Sequence, residues 1–212
     1  MDKTEKVKII FDTDIGGDCD DAGALAMLHR LCDKGEAQLL AITHCASSPC
    51  LAGCIDAINQ FYGRKVPIGL NYAREVEYKG LYAEKLCNLF PHDYPANKYK
   101  NLGVEDTLTV LRKTLAKAED NSITFVVTGS LNSMEKLLLS GADEYSPLTG
   151  KELIQRKIKR TVVMGGRFFE SWPMAIYESG KSGGEQVSWE WNIKHSGLQT
   201  AQTVCNEWTG EL

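Results

Sequence analysis

Short apolar runs alternate along this chain with longer stretches whose apolar residues recur every three or four positions. VKIIFDT (residues 7–13) is a continuous greasy run closed by turn chemistry, the pattern of a strand buried on both faces. In the next segment Ala22, Leu25, Ala26, Leu28 and Leu31 recur at helical spacing, with Asp20 or Asp21 as the cap. AQLLAITHC (37–45) predicts a second strand, residues 50–63 a helix that stops at Gly63, and VPIGL (66–70) a third strand. A helix is expected over 102–118, a strand over SITFVVTG (122–129) and a helix over SMEKLLLS (133–140). RTVVMGG (160–166) predicts another strand, and Ser196 is placed to start a last helix. Residues 70–100 and 167–188, rich in Tyr, Gly, Pro, Ser and charge, predict long loops or lids.

Strands that alternate with helices imply right-handed crossovers, hence an α/β fold: a mostly parallel open sheet with helices on both faces and a Rossmann-like core. No repeat or low-complexity linker interrupts the 212 residues, so a single domain over 1–212 is expected. In such sheets ligands bind beyond the carboxyl ends of the strands. The aspartate-rich turn after 7–13, Thr43 to Ser48, Thr128-Gly129-Ser130 and Met164-Gly165-Gly166 should therefore share one rim.

Charge narrows the function. A formal net charge of -4 argues against nucleic acid or an anionic membrane as partner, and no apolar run approaches the ~20 residues needed to span a bilayer. The polar start MDKTEKVK does not read as a secretory signal. Seven scattered cysteines, an odd number, fit reduced thiols in a cytoplasm better than a disulfide framework. Cys50-x3-Cys54 has the look of half a zinc site, but no second CxxC or histidine pair completes it, and a helical turn of small buried residues explains it more simply.

The strongest chemical signal is FDTDIGGDCDD, which places Asp12, Asp14, Asp18, Asp20 and Asp21 within ten positions. One aspartate can be a helix cap and another a solvated turn. Five at a strand end repel one another unless a cation compensates, and carboxylates with few thiolates or imidazoles nearby make a hard oxygen site suited to Ca²⁺ or Mg²⁺.

FDTDIGGDCDDAGALAML resembles the opening signature of the nucleoside hydrolases of the inosine-uridine-preferring type. The resemblance continues in family order through AITHCASSPCLAGCIDAINQFYGRKVPIG, VVTGSLNSMEKLL, VVMGG and WEWNIKHSGLQTA, and covers nearly the whole chain. It implies hydrolysis of the N-glycosidic bond of a ribonucleoside to ribose and free base, with a tightly held Ca²⁺ and a small-molecule riboside as the partner, in a homodimer or homotetramer. By this resemblance Asp14 is the general base and a metal ligand, Asp21 a bidentate metal ligand, and the Thr128 carbonyl a third. Asp20, Glu190 and Asn192 would hold the ribose hydroxyls, and Asp12 would support the site. Asp18 belongs to an insertion without an implied role.

Some positions depart from the family. Ser47 and Ser48 stand where an asparagine usually contacts ribose, Gly184 lies where another asparagine is expected, and Ser196-Gly197 replaces an Asp-Pro pair. The family's C-terminal segment, with a further aspartate ligand and a histidine that assists the leaving base, has no counterpart in the sequence. His92 and Trp172 are candidates to approach the base from loops, as are Tyr72, Tyr78 and Tyr82; ordinary lid surface is the simpler account of the tyrosines. Two other readings stay open: a catalytically impaired relative that binds ribosides or metal weakly, and a haloacid-dehalogenase-type phosphatase in which Asp12 is the nucleophile. A serine nucleophile at Ser130 lacks a positioned His-Asp pair.

Overall fold

The computed structural model describes residues 5–76, 81–94, 103–166 and 190–212. Strand β1 (Val7–Thr13) is buried over its last five residues and lies inside the sheet, with β2 (Ala37–His44) on one side and β5 (Ile123–Val127) on the other. The six strands run in the order β4-β3-β2-β1-β5-β6, all parallel, with β3 (Ile68–Leu70), β4 (Glu105–Asp106) and β6 (Ile158–Val163) completing the set. From β1 the chain steps outward through β2, β3 and β4, then returns to the far side of β1 as β5 and β6. The strand order therefore reverses between β1 and β5, which opens a crevice at their carboxyl ends.

Alternation along the strands divides the core in two. Ile10, Ala41, Phe125 and Val127 face a layer built with α4 (Thr107–Lys117), α5 (Asn132–Leu138), α6 (Gly150–Lys157) and α8 (Leu198–Glu207). Phe11 and Ile42 face the other layer, built with α1 (Asp20–Asp33), α2 (Leu51–Phe61) and α3 (Tyr82–Leu89). This is the expected α/β architecture with both faces covered. Among the described residues no helix is long and apolar enough to cross a membrane.

Four local expectations change. The region expected as loop from 70 to 100 contains α3, whose only buried residues, Ala83 and Cys87, stand one turn apart and leave too short a stripe to read. The helix expected from 102 begins at Thr107, because Asp106 caps it by accepting from Leu108 N at 2.9 Å while Glu105 and Asp106 pair with β3. Helix α6, not among the expected elements, starts at a complete capping box formed by Thr149 and Glu152. Ser196 does not open the last helix: it ends α7 (Trp191–Ser196), and Gly197, at φ 86°, makes the break before α8. Ser196 Oγ instead accepts from Leu131 N at 2.7 Å and donates to Asn192 O at 2.6 Å.

One polar group organises the α4 side of the core. Arg112, 1% exposed, makes a two-pronged ion pair with Asp143 (Nε to Oδ2 2.6 Å, Nη2 to Oδ1 3.0 Å). It also donates to Ser140 Oγ, Ser146 O and Leu148 O, which pins the connection between α5 and α6.

Candidate functional site

The crevice between β1 and β5 is lined by the aspartates of the strand-to-helix turn. Asp12 is fully buried; Thr43 Oγ1 donates to its Oδ2 at 2.6 Å, and its Oδ1 has no hydrogen-bond partner. Burial pushes the Asp12 carboxyl up to about 7, with the Thr43 hydroxyl restraining the rise and the charge of Asp21 adding to it. Full burial excludes Asp12 as the exposed nucleophile that a phosphatase requires. Two positions on, Asp14 is half-buried and pushed up to about 8, first by burial and then by Asp21, with Asp18 and Asp20 adding further repulsion. Burial and the charge of Asp20 raise Asp18 as well.

Asp21 is the carboxylate around which the site is built. It is 2% exposed in the first turn of α1, where the helix dipole favours negative charge. Thr13 Oγ1 donates to its Oδ1 from the end of β1, and Thr128 Oγ1 donates to the same oxygen at 2.5 Å from the end of β5. Asp18 and Asp20 converge on Asp21, one ligand oxygen of each lying within 4.8 Å of the others. Among the described residues this trio is the one His/Cys/Asp/Glu cluster with the geometry of a cation site. Its donors are all hard oxygens, and the neighbouring Asp14 is raised first by burial and then by negative charge that a cation would neutralise. The residues present therefore fit a hard divalent ion.

The turn carrying these acids is clamped from two directions. His44, at the end of β2, donates from Nε2 to Ile15 O at 3.1 Å and accepts at Nδ1 from Ala46 N at 3.0 Å. Burial pushes its imidazole down to about 4, so the neutral ring is the working form. Tyr82 of α3 accepts from Gly16 N at 2.9 Å, and Ala83 N donates to Gly16 O. Gly129 lets β5 approach: a Cβ there would stand 2.9 Å from both Asp14 N and the Thr13 carbonyl carbon.

Thr128 N donates to Asp12 O at 2.8 Å, locking β5 to β1. The Thr128 carbonyl accepts from Asn192 Nδ2 at 2.7 Å, and the same amide nitrogen donates to Met164 O at 2.8 Å. Glu190 caps α7, its two carboxylate oxygens accepting from Asn192 N and Ile193 N at 3.0 Å each. The structure thus joins Asp21, Thr128, Asn192 and Glu190 in one hydrogen-bonded chain with Asp14 beside it, whereas Asp20 stands on the exposed side. Asp18, given no role from sequence, belongs to the acidic trio.

Other candidates lie elsewhere or outside the described residues, as do Tyr78, Trp172 and Gly184. Tyr72 donates to Val104 O and packs into the α1–α2–α3 layer. His92 sits 3.6 Å from Cys87 Sγ on the α2–α3 pair. There burial pushes the thiols of Cys54 and Cys87 up to about 12 and about 11, which opposes the thiolate a zinc ligand needs.

Sequence reasoning missed Arg74. It follows β3, its backbone pairs with Ser47 (Ser47 N to Arg74 O 2.7 Å), and its Nη1 donates to Ser130 Oγ and to Asn132 Oδ1 at 3.2 Å. The available signal was its place after a strand's carboxyl end.

No family model matches this chain, and no curated protein matches it in sequence. Solved structures do share its fold. The type III effector protein XopQ, complexed with adenosine diphosphate ribose, is 13% identical with a TM-score of 0.58 over 95% of this chain and 53% of that one. The effector protein XOO4466 is 16% identical, TM-score 0.52, over 76% and 44%. A purine-preferring ribonucleoside hydrolase from Gardnerella vaginalis is 18% identical, TM-score 0.48, over 76% and 49%. This chain spans about half the length of these proteins, and the likeness is one of fold.

Proposed function

We propose that this chain carries the metal and ribose site of a nucleoside N-ribohydrolase, with Ca²⁺ as its cofactor. The observation that carries the reading is the convergence of Asp18, Asp20 and Asp21, with Asp14 beside them, at the crevice where the strand order reverses. A carboxylate beside the attacking water can take its proton, a contribution typically worth ~10²–10⁴-fold.

In this reading Asp14, Asp21 and the Thr128 carbonyl would hold the cation, and Asp18 and Asp20, each with an oxygen within 4.8 Å of one on Asp21, stand close to it. Ca²⁺ would supply the positive charge that keeps the carboxylates ionised and eases deprotonation of the attacking water. Asp14 takes that proton as the water oxygen bonds to C1′. The C1′–N bond breaks with its electron pair going to the base, and negative charge from the cluster stabilises the oxocarbenium-like sugar between them. Asp20, Glu190 and Asn192 position the ribose hydroxyls; each oxygen of Glu190 keeps a lone pair beyond its capping bond.

A second reading has its own support. Glu190 and the Asn192 amide nitrogen are already engaged in capping α7 and joining β5 to β6, which favours a riboside-binding protein without turnover. The effector complexed with adenosine diphosphate ribose makes a larger riboside a candidate ligand for such a site.

Calorimetric titration of metal-stripped protein with Ca²⁺, beside Asp21→Ala, with ribose release from inosine and uridine assayed on the same samples, separates these. Binding lost in the variant together with ribose release supports the hydrolase. Binding without release supports the second reading, and no binding sinks the metal site.

A further inference from the structure

Arg74 is a half-buried cation at the rim of an acidic site, and among the described residues no carboxylate pairs with it. Every acceptor at its Nη1 is neutral: Ser130 Oγ, Asn132 Oδ1 at 3.2 Å and Cys45 Sγ at 3.9 Å. A guanidinium has five N–H donors in a fixed fork, and among the described residues no acceptor engages Nη2 or Nε. Partial burial of a cation without an anion is costly, so the position invites one.

The guanidinium is placed firmly. The segment that bears it is hydrogen-bonded on both sides of Ser47, through Ser47 N to Arg74 O at 2.7 Å and Val76 N to Ser47 O at 2.9 Å. Its partner Ser130 stands two positions beyond Thr128, whose hydroxyl donates to Asp21. Burial lowers the imidazoles of His44 and His195, and the charge of Arg74 adds to both shifts. A sugar ring held at the acidic turn would thus have a cation at the same rim.

We propose that Arg74 binds a phosphate ester on the riboside, so that the site takes a phosphorylated riboside in preference to the neutral nucleoside. Arginine matches a phosphate through paired N–H···O bonds, and the free edge of Arg74 is the one available for that geometry. This inference rests on the reading of the crevice as a riboside site and names the substrate class within it.

The test compares ribose with ribose 5-phosphate by calorimetry on the Ca²⁺-loaded full chain, for wild type, Arg74→Gln and Arg74→Lys. Release of sugar from inosine and from inosine 5′-monophosphate is followed in parallel. The expected result is at least tenfold tighter binding of the phosphorylated sugar, a preference that weakens with salt, vanishes in Arg74→Gln and partly survives in Arg74→Lys. Equal affinity for the two sugars, no binding of ribose 5-phosphate, or a preference unchanged in Arg74→Gln overturns it. If Arg74→Gln does not fold, loss of the preference in Arg74→Glu mixed with a folding check by circular dichroism decides, with Arg74→Lys retaining it. Absence of sugar release with the binding preference intact removes the hydrolase reading and leaves the phosphate subsite standing.

Discussion

Thr128 Oγ1 donates to Asp21 Oδ1 at 2.5 Å across 107 positions of sequence, so the end of β5 holds the first-turn carboxylate of α1 in place. Thr13 approaches the same oxygen from β1. With both hydroxyls on Oδ1, the orientation of the carboxylate toward a cation is fixed before any cation arrives. Partners of this kind typically change metal affinity 10–100-fold when removed. Thr128→Val keeps the shape and deletes the donor. Calorimetry should find Ca²⁺ binding weakened by about that 10–100-fold factor, with the fold intact by circular dichroism; unchanged affinity would show that Thr13 alone suffices.

The close approach of β5 to β1 makes a second point of sensitivity. A Cβ at Gly129 would press on backbone at Asp14 and Thr13, which cannot swing aside as a side chain can. Gly129→Ala should therefore displace the strand ends against each other and cost about 1–3 kcal/mol, as overpacking does. Thermal unfolding of the metal-free variant measures that cost. Ca²⁺ titration should show a parallel loss of affinity, because Thr128 moves with Gly129.

Asp12 and Asp14, pushed up to about 7 and about 8, lie above the unfolded carboxylate value of about 3.9. A raised folded-state value means that the protonated form favours folding. Its stabilisation is complete below about pH 4 and is lost as pH rises through about 7 to 8. Metal-free protein should consequently melt lower at about pH 8.5 than at about pH 5, and Ca²⁺ should recover the difference. Asp14→Asn removes one of the repelling charges. It should raise the metal-free Tm at alkaline pH, by roughly 2–4 °C for each kcal/mol relieved, while ribose release falls ~10²–10⁴-fold. A variant that melts lower than wild type at alkaline pH would contradict the raised value.

Much of this was legible in sequence because the signals were local. Greasy runs such as VKIIFDT and ITFVV announced parallel strands, and the density of aspartates announced a candidate cation site. The connection of Thr128 to Asp21 and of Asn192 to Thr128 was not local, and only the order of the strands brings those segments together. Helix α3 escaped because two buried residues make no stripe, and α6 because Leu153 and Ile154 alone make none either. Arg74 was invisible for a different reason. A lone arginine in a loop reads as solvated surface until the fold shows that its partners are all neutral. The buried Arg112 belongs to the same class: its partner Asp143 sits 31 positions away, and nothing in TLTVLRKTLAK distinguishes it from an exposed cation.

Arg112 also carries a prediction of stability separate from the site. Its side chain is 1% exposed and satisfies Asp143, Ser140 and two carbonyls, and the guanidinium holds Asp143 below the usual carboxylate range. Asp143 is 31% exposed and water can take over its oxygens, so removing the Arg112 side chain costs through the unpaired Ser146 and Leu148 carbonyls and the cavity it leaves, about 2–5 kcal/mol. Arg112→Ala should lose roughly that much in denaturant unfolding. Arg112→Met, which refills the volume, should lose less.

His44 provides the acid limb of the same pH profile. Burial pushes its imidazole down to about 4, whereas the unfolded ring titrates near about 6.5. A depressed value reverses the sign found for the aspartates. The stabilisation by neutral His44 is present above about pH 6.5 and is lost as pH falls toward about 4, where protonation would set a buried charge between Ile15 O and the Ala46 amide. Because Ile15 lies between Asp14 and Gly16, losing that anchor should also loosen the acidic turn. His44→Gln retains a donor and no longer titrates, so its unfolding free energy should change less between about pH 4 and pH 6.5 than that of wild type. The protection of the Gly16 amide relative to its intrinsic exchange rate should fall on acidification in wild type alone. Equal pH slopes in the two proteins would mean that His44 is protonated in the folded state without cost and is not the anchor of the turn.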